Sequence, residues 1–211
     1  MDYEHKAKVV ADCLLSYKRD ESGWKVCKKS NDVVVSWRPS SEFPGNVYKG
    51  EGLVSGSLEK VWESLKPVPN GLRVKWDNNV KRFELLDQIT EDISICRTVT
   101  PSAAMGIIAP RDFVDVILVK KYDDGAISSN ATNVCHASCP PQSGYVRGFN
   151  HRCGCICVPI SGEPNKTQVF TFFQTDLGGF LPRSVVDSFF PSSMAEFYSN
   201  LTKTVKSLKD L

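Results

Sequence analysis

The amino-acid sequence predicts an α+β fold in which a curved antiparallel sheet of about nine strands grips a long C-terminal helix. Apolar residues recur at helical spacing from Val185 to Leu208, and Pro182 suits a first helical turn because its missing N–H would be unpaired there. Upstream, strand-like runs with short turns follow one another, as in an antiparallel meander. A sheet that closes around so long an apolar helix has room for an internal cavity.

The first third of the chain is predicted to contain a helix, three strands and a second helix. Apolar residues between Val9 and Tyr17 fall on one face of the first helix, which ends at Gly23. The second helix begins at Ser57, a good N-cap, and Pro67 ends it. The strands between the two helices are predicted over Trp24–Cys27, Val33–Arg38 and Tyr48–Val54.

A connecting turn through residues 71–76 then leads into the meander, where Asp124 and Gly125 mark one hairpin. The strands of the meander are predicted over Lys81–Gln88, Ile93–Val99, Asp112–Lys121, Ala126–Val134, Tyr145–His151 and Val169–Thr175.

The C-terminal helix is predicted to run from Pro182 to Leu211, with a kink at Pro191, because proline removes one backbone hydrogen bond and crowds the preceding turn. Gly178 and Gly179 supply flexible backbone where the chain enters this helix. Two interpretations follow. The helix is either a movable lid on a glycine hinge or a helix that bends to follow the core.

The loop at residues 98–110 carries no charge, although Arg97 and Arg111 flank it. Loops normally lie at the surface and are polar. An apolar loop either covers a core, closes as a flap over a ligand cavity, or forms a patch that touches a membrane.

Composition excludes several classes of function. The formal net charge of +2 gives no electrostatic argument for nucleic-acid binding. Residues 1–17 have no apolar signal region, and no stretch approaches the length of a membrane-spanning helix. The 8 cysteines are therefore interpreted as reduced thiols of a cytoplasmic protein. Residues 1–211 show no repeat or linker and are expected to form one domain, as a monomer.

Several motifs resemble the START domain, the family of lipid-transfer proteins related to the steroidogenic acute regulatory protein. The resemblance rests on four segments and covers essentially the whole chain: Trp76-Asp77-Asn78-Asn79-Val80, Pro110-Arg111-Asp112-Phe113-Val114, Asp176-Leu177-Gly178-Gly179 and Leu181-Pro182-Arg183-Ser184-Val185-Val186. It is strongest to the short, soluble START-only subgroup. The resemblance implies a helix-grip fold, one lipid held in a tunnel under a C-terminal lid, and a carrier that is not an enzyme and needs no cofactor.

The chain departs from the family pattern at two positions. Cholesterol-carrying members hold an acidic and a basic side chain facing each other in the tunnel, and these positions correspond to Thr98 and Ile117 here. Losing both charges is coherent, because one left alone would be buried and unpaired. Asp115 and Ile117 also leave no aromatic cage for a choline headgroup. The implied cargo is a steroid-type lipid, namely a bile acid, cholesterol or an oxysterol, with transient membrane contact at its delivery.

Alternation along the strands that flank the apolar loop predicts which side chains face the cargo. Arg73 is expected to pair with a bile-acid carboxylate, or else to be a solvated surface arginine, and Trp76 and Asn78 match family positions near the tunnel wall. The full set of predicted ligand-binding residues is Arg73, Trp76, Asn78, Cys96, Thr98, Thr100, Met105, Asp115, Ile117, Val119, Val186, Phe189 and Met194.

Cys135, His136, Cys139, His151 and the alternating cysteines of residues 153–157 are residue types that can bind zinc. Residues two apart on a strand lie roughly 6.6 Å from each other. Two thiolates on one zinc ion must approach within roughly 4 Å, so alternating cysteines chelate poorly.

Two further functions stand beside the carrier. A cysteine hydrolase or cyclase-like enzyme is disfavoured, because no nucleophile signature accompanies the cysteines and histidines. A lipid sensor that signals through a protein partner, or a carrier of another lipid class, is the alternative that the sequence leaves open.

Overall fold

A computed structural model describes residues 2–209 of the chain, and Leu211, where the sequence predicts the last helix to end, lies outside these residues. The described residues contain four helices, α1 (Tyr3–Arg19), α2 (Leu58–Leu65), α3 (Arg73–Trp76) and α4 (Arg183–Ser207), and one 3-10 turn at Ala104–Gly106. The strands are β1 (Lys25–Lys29), β2 (Val34–Pro39), β3 (Asn46–Ser55), β4 (Arg82–Gln88), β5 (Ile93–Val99), β6 (Arg111–Lys121), β7 (Ile127–Asn133), β8 (Val146–Arg147), β9 (Phe149–Asn150), β10 (Cys153–Ile160), β11 (Glu163–Phe173) and β12 (Thr175–Asp176).

One large sheet dominates the described residues. Its strand order is β1-β2-β3-β11-β10-β7-β6-β5-β4, every neighbour in that order is antiparallel, and the short β8 adds a parallel pairing to β6. A separate pair joins β9 to β12. The predicted curved antiparallel sheet of about nine strands is confirmed.

Strand β6 shows how the sheet separates two environments, because successive side chains of a strand point to opposite faces. Val114 and Val116 are buried against Ala7 and Ala11 of α1. The alternate residues of the strand, Phe113, Asp115 and Ile117, face the other side of the sheet, where the large cavity lies.

Helix α4 packs on the cavity side, and glycines of β3 let it approach closely. A Cβ atom on Gly50 would lie 2.6 Å from Thr171 Oγ1 and 2.7 Å from the Met194 sulfur, so a larger residue cannot fit without movement. The buried Tyr198 hydroxyl lies 2.7 Å from the carbonyl oxygen of Val169 and 3.1 Å from that of Gly50. These contacts fix the helix across the middle strands. It continues through the buried Pro191 to Ser207.

Three local predictions need correction. The predicted strand list leaves out residues 153–160, which form β10, a central strand between β11 and β7. Its Gly154 and Pro159 weaken its strand signal, and pairing on both sides overrides that weakness. The predicted strand over Tyr145–His151 is instead two short strands, β8 and β9. The predicted turn over residues 71–76 contains helix α3.

Candidate functional site

A cavity of about 810 Å³ lies between the sheet, α3, α4 and the loop at residues 100–108. Ligand pockets are commonly about 300–1,000 Å³, so this one has the volume of a small-molecule site. Cross-strand partners build its floor: Ile117, Ala131 and Cys153 lie opposite one another on β6, β7 and β10. Most of its wall surface is apolar, and polar and charged side chains that can set specificity also line it.

Asp115 is a buried carboxylate on this wall. Only 4% of its surface is exposed, and its Oδ2 accepts a hydrogen bond of 2.8 Å from Asn150 Nδ2. Burial raises the pKa of this carboxyl group to about 7, and the bond from Asn150 and the charge of Arg147 lower it only in part. The group therefore titrates close to neutral pH.

Arg73 is a cation on the cavity wall, on helix α3. Its Nε donates to Asp77 Oδ2 at 3.0 Å, and its guanidinium lies over the Phe197 ring at 5.3 Å from the centroid. A guanidinium has five N–H donors, so the bond through Nε leaves the four donors of its Nη groups for another carboxylate. Arg73 can therefore bind an anionic group without releasing Asp77.

The structure brings eight of the predicted ligand-binding residues to the cavity wall. These are Arg73, Asn78, Thr98, Thr100, Met105, Asp115, Ile117 and Phe189.

The other five predicted residues lie outside the lining of this cavity. Trp76 donates its indole N–H to the Ser64 carbonyl at 2.8 Å. The Met194 side chain of α4 is fully buried in the core. Val186 borders a second, smaller hollow of about 250 Å³. Cys96 and Val119 lie on the predicted, cavity-facing side of their strands, but neither side chain lines the cavity.

Their positions explain why Cys96 and Val119 miss the cavity. The Cys96 thiol is buried 3.5 Å from Ser94 Oγ. Val119 lies two residues beyond Ile117, toward the turn that joins β6 to β7. Alternation gives the face of a strand, whereas the extent of the cavity along that strand depends on the elements packed above it.

Several cavity residues were missed by the sequence analysis. Cys153 and Cys155 lie on the omitted strand β10, and Ser129 and Ala131 lie at alternate positions of β7. Alternation along these two strands is a signal that would have found all four. No signal in the sequence marks Asn150.

The apolar loop is exposed at its tip. Met105 is 101% and Ile107 54% exposed, while Ile108 is buried and lines the cavity. Ala104 and Met105 both have positive φ angles, of 51° and 55°, a conformation that costs energy for residues with side chains. The loop therefore borders the cavity, and the apolar side chains at its tip are at the same time exposed to solvent.

Arg111 joins this loop to the entrance of α4. Its guanidinium donates to the carbonyl oxygens of Ala109 at 2.8 Å, Leu177 at 2.9 Å and Gly178 at 2.9 Å. The side chain is buried without an ion pair in the described residues, and burial lowers the pKa of the guanidinium. Gly178 and Gly179 have φ angles of +68° and +70°, which glycine adopts at little cost.

The histidines and cysteines that suggested zinc are dispersed. His136 lies beside Ser138 and Asp87, and the His151 ring stacks on Phe43 at 4.7 Å. Over residues 2–209, no three His, Cys, Asp or Glu side chains are close enough to hold a metal ion together. All 8 cysteines are free thiols.

A family model for the START domain matches residues 4–210. The chain belongs to the START domain family. It is 62% identical to mouse StAR-related lipid transfer protein 5 over 201 residues, which covers 95% of this chain and 94% of the mouse protein. The solved structure of human StAR-related lipid transfer protein 5 superposes with a TM-score of 0.93 at 59% identity, covering 97% of this chain and 96% of that one. Human STARD10, at 19% identity, superposes with a TM-score of 0.73 over 91% of this chain and 78% of that one, which shows the shared fold alone.

The family match and the structural superposition confirm the predicted START resemblance and the predicted curved-sheet fold. Relatives about 60% identical to this START protein are non-enzymatic lipid carriers, so the prediction that the chain is not an enzyme is also confirmed. Lipid binding and transfer is the general role that this kinship supports. No helix within residues 2–209 combines the length and the apolar character needed to cross a bilayer.

Proposed function

We propose that this START protein binds one steroid-type lipid in its cavity and transfers it between membranes. The observation that carries the proposal is a cavity of about 810 Å³ whose mostly apolar wall includes Arg73, Asp115, Thr98 and Thr100 among its polar side chains. An apolar ring system fills such a space, while hydroxyl and carboxylate groups meet the few polar side chains. Bile acids, cholesterol and oxysterols share this chemistry.

The expected affinity suits a carrier. A steroid of roughly 28 heavy atoms that gains about 0.3 kcal/mol per atom binds with about 8 kcal/mol. This corresponds to a dissociation constant near one micromolar, which allows release at an acceptor membrane.

Arg73 is proposed to bind the carboxylate of an acidic steroid. Replacing Arg73 by alanine is expected to weaken binding of cholic acid about tenfold, because a charge-assisted hydrogen bond is lost, and to leave cholesterol binding within about twofold. The measurement is a competition titration of each ligand on the purified protein. Arg82→Ala is the control, because the Arg82 side chain is half exposed on β4 outside the cavity. Equal losses for both ligands would show that Arg73 only supports the fold.

Thr98 and Thr100 are proposed to form hydrogen bonds with cargo hydroxyl groups, since a threonine hydroxyl both donates and accepts without charge. Thr98→Ala in the same titration reports on this contact. Binding of neither ligand by the wild-type protein would overturn the steroid proposal and leave a cavity for another lipid class.

The loop at residues 100–110 and helix α4 are proposed as the gate, with the exposed tip as the transient membrane contact. Replacing Met105 and Ile107 together by serine is expected to slow lipid transfer between vesicles at least about tenfold, because each buried apolar side chain contributes about 1.5–3 kcal/mol. Ligand affinity in solution should fall less than transfer, because both side chains border the cavity but are more than half exposed to solvent. Val26→Ser is a matched control, because Val26 is 56% exposed on β1, at the opposite edge of the sheet from the strands that flank the loop. Unchanged transfer by the double variant would contradict the membrane contact.

The transfer assay also separates a carrier from a sensor, because a sensor binds lipid without accelerating its exchange. We further propose that residues 1–211 act as one lipid-binding domain, as a monomer in the cytoplasm and without a nucleic-acid partner. Free thiols at every cysteine support a reducing compartment. The near-neutral net charge of +2 supports the absence of a nucleic-acid partner.

A further inference from the structure

Asp115 has one carboxylate oxygen without a hydrogen-bond partner among the described residues. Its Oδ2 accepts from Asn150, whereas Oδ1 is buried and unpaired within residues 2–209. The side chain lines the cavity with only 4% of its surface exposed. Buried polar atoms in folded proteins are nearly always paired, so an unpaired acceptor on a cavity wall indicates a partner that belongs to the ligand.

The neighbouring Asn150 is fixed and cannot pair with the second oxygen. Asn150 Oδ1 accepts from Thr175 Oγ1 at 2.8 Å, which orients the amide so that Nδ2 points to Asp115 Oδ2. The backbone carbonyl of Asn150 also accepts from Asn133 Nδ2 at 2.8 Å. The protein therefore holds the Asp115 carboxylate in one orientation and leaves one acceptor for the cavity.

We propose that Asp115 Oδ1 accepts a hydrogen bond from a hydroxyl group on the ring system of the cargo. The cavity then selects hydroxylated steroids over steroids with ketones at the same positions, because a ketone cannot donate. This inference rests on the proposed function, since it specifies which chemical group of a steroid the same cavity recognises.

The charges around Asp115 favour a neutral donor over a charged one. A cargo carboxylate would be repelled by Asp115 and fits better at Arg73, on another part of the wall. A cargo ammonium would be attracted by Asp115 but repelled by Arg147, whose charge acts directly on Asp115. A hydroxyl group bears neither penalty. An acidic steroid is therefore expected to lie with its carboxylate toward Arg73 and its ring hydroxyl groups toward Asp115.

The selectivity should depend on pH. Above the pKa of about 7 the carboxylate only accepts, and below it the protonated carboxyl group can also donate to a ketone. The other titratable groups that act on or beside Asp115 are the thiols of Cys96 and Cys153, whose pKa values burial raises, and the permanently charged Arg147. None of these three changes charge between pH 5.5 and about 8. The Cys155 thiol also lines the cavity, and its hydrogen bond with Cys157 lowers its pKa; because Cys155 is unchanged in Asp115→Asn, that variant separates the two groups.

The test compares cholic acid with its 3,7,12-triketone, dehydrocholic acid, which share one carboxylate and one ring skeleton. Dissociation constants are measured calorimetrically at pH 8 and pH 5.5, and the ratio of the two ligands cancels effects of their common carboxylate. The wild-type protein should prefer cholic acid about tenfold at pH 8, and this preference should fall severalfold at pH 5.5.

Asp115→Asn gives the second arm, because an amide can donate to the ketone. The variant should lose the preference for cholic acid together with its pH dependence. Asp123→Asn, an exposed aspartate in the turn between β6 and β7, should keep both. The wild-type ratio at the two pH values decides the question even if Asp115→Asn does not fold.

Two outcomes overturn the inference, and they are distinguishable. Equal affinities of the two steroids at both pH values, or an unchanged preference in Asp115→Asn, refute the role of Asp115 while the steroid cavity stands. Failure of the wild-type protein to bind either steroid refutes the proposed bile-acid cargo, and the inference fails with it.

Discussion

Replacing Asp112 by asparagine is expected to lower the free energy of unfolding by about 3–5 kcal/mol, which is the effect of breaking a buried ion pair. Asp112 is fully buried and accepts from Arg147 Nε at 2.8 Å and from Arg97 Nε at 2.9 Å. Its carboxylate therefore joins β5, β6 and β8. Asparagine keeps the shape but leaves the buried Arg97 and the half-buried Arg147 without their shared negative charge. Urea unfolding at pH 7 measures the loss.

Glu84 supplies the matched control for Asp112. Its carboxylate lies 3.4 Å from Arg97 and 3.7 Å from Arg82, but it is 39% exposed. Because exposed ion pairs contribute about 0–1 kcal/mol, Glu84→Gln should cost far less than Asp112→Asn. Similar losses in the two variants would show that burial does not give the Asp112 pairs their strength.

The effect of Asp112 should depend on pH in a defined direction. Burial raises the pKa of this carboxyl group, but the hydrogen bonds and charges of Arg147 and Arg97 outweigh burial and lower it. A group whose pKa is lower in the folded state stabilises the fold above its unfolded value, about 3.9 for aspartate, and that contribution is lost as pH falls further. The difference in stability between wild type and Asp112→Asn should therefore stay constant from pH 8 to about 5 and shrink below about pH 4.

Replacing Arg111 by methionine is expected to lower the free energy of unfolding by about 3 kcal/mol and to loosen two distant segments together. The substitution keeps an apolar stem but removes the donors to Ala109, Leu177 and Gly178. Three carbonyl groups in partly buried hydrogen bonds then lose a charged donor, each at a cost of about 1 kcal/mol. Hydrogen exchange of residues 101–110 and 177–182, measured beside urea unfolding, reports the loosening.

Measuring hydrogen exchange in both segments shows whether Arg111 links the loop to the helix entrance or only stabilises the fold. Arg111→Met should increase exchange in both segments, and a labelled steroid should dissociate faster if those segments form the gate. Arg82→Met, on the exposed side of β4, should change neither. Increased exchange in one segment alone would contradict the view that Arg111 couples them. No loss of stability would show that methionine packing compensates for the lost charge, as it does at some buried ion pairs.

The Pro110-Arg111-Asp112 motif could be predicted from the sequence, but the contacts of its charged residues could not. The sequence marks it as a family motif beside an apolar loop, but it does not give the role of either charged residue. Arg111 bonds carbonyl groups 66 and 67 residues away, and Asp112 pairs with Arg147 35 residues away. Contacts over such separations depend on the complete strand order, which local pattern does not contain.

The sequence by itself determined the α+β class and the long C-terminal helix. It also determined that Thr98, Asp115 and Ile117 lie on the cavity-facing side of their strands. These features follow from periodicity, because a strand alternates its side chains and an amphipathic helix repeats its apolar face over short distances. Only the tertiary structure decided that β10 is a central strand, that Met194 belongs to the core and that Asn150 fixes Asp115. Those outcomes depend on which elements pack over a given residue, and packing joins segments that are far apart in the chain.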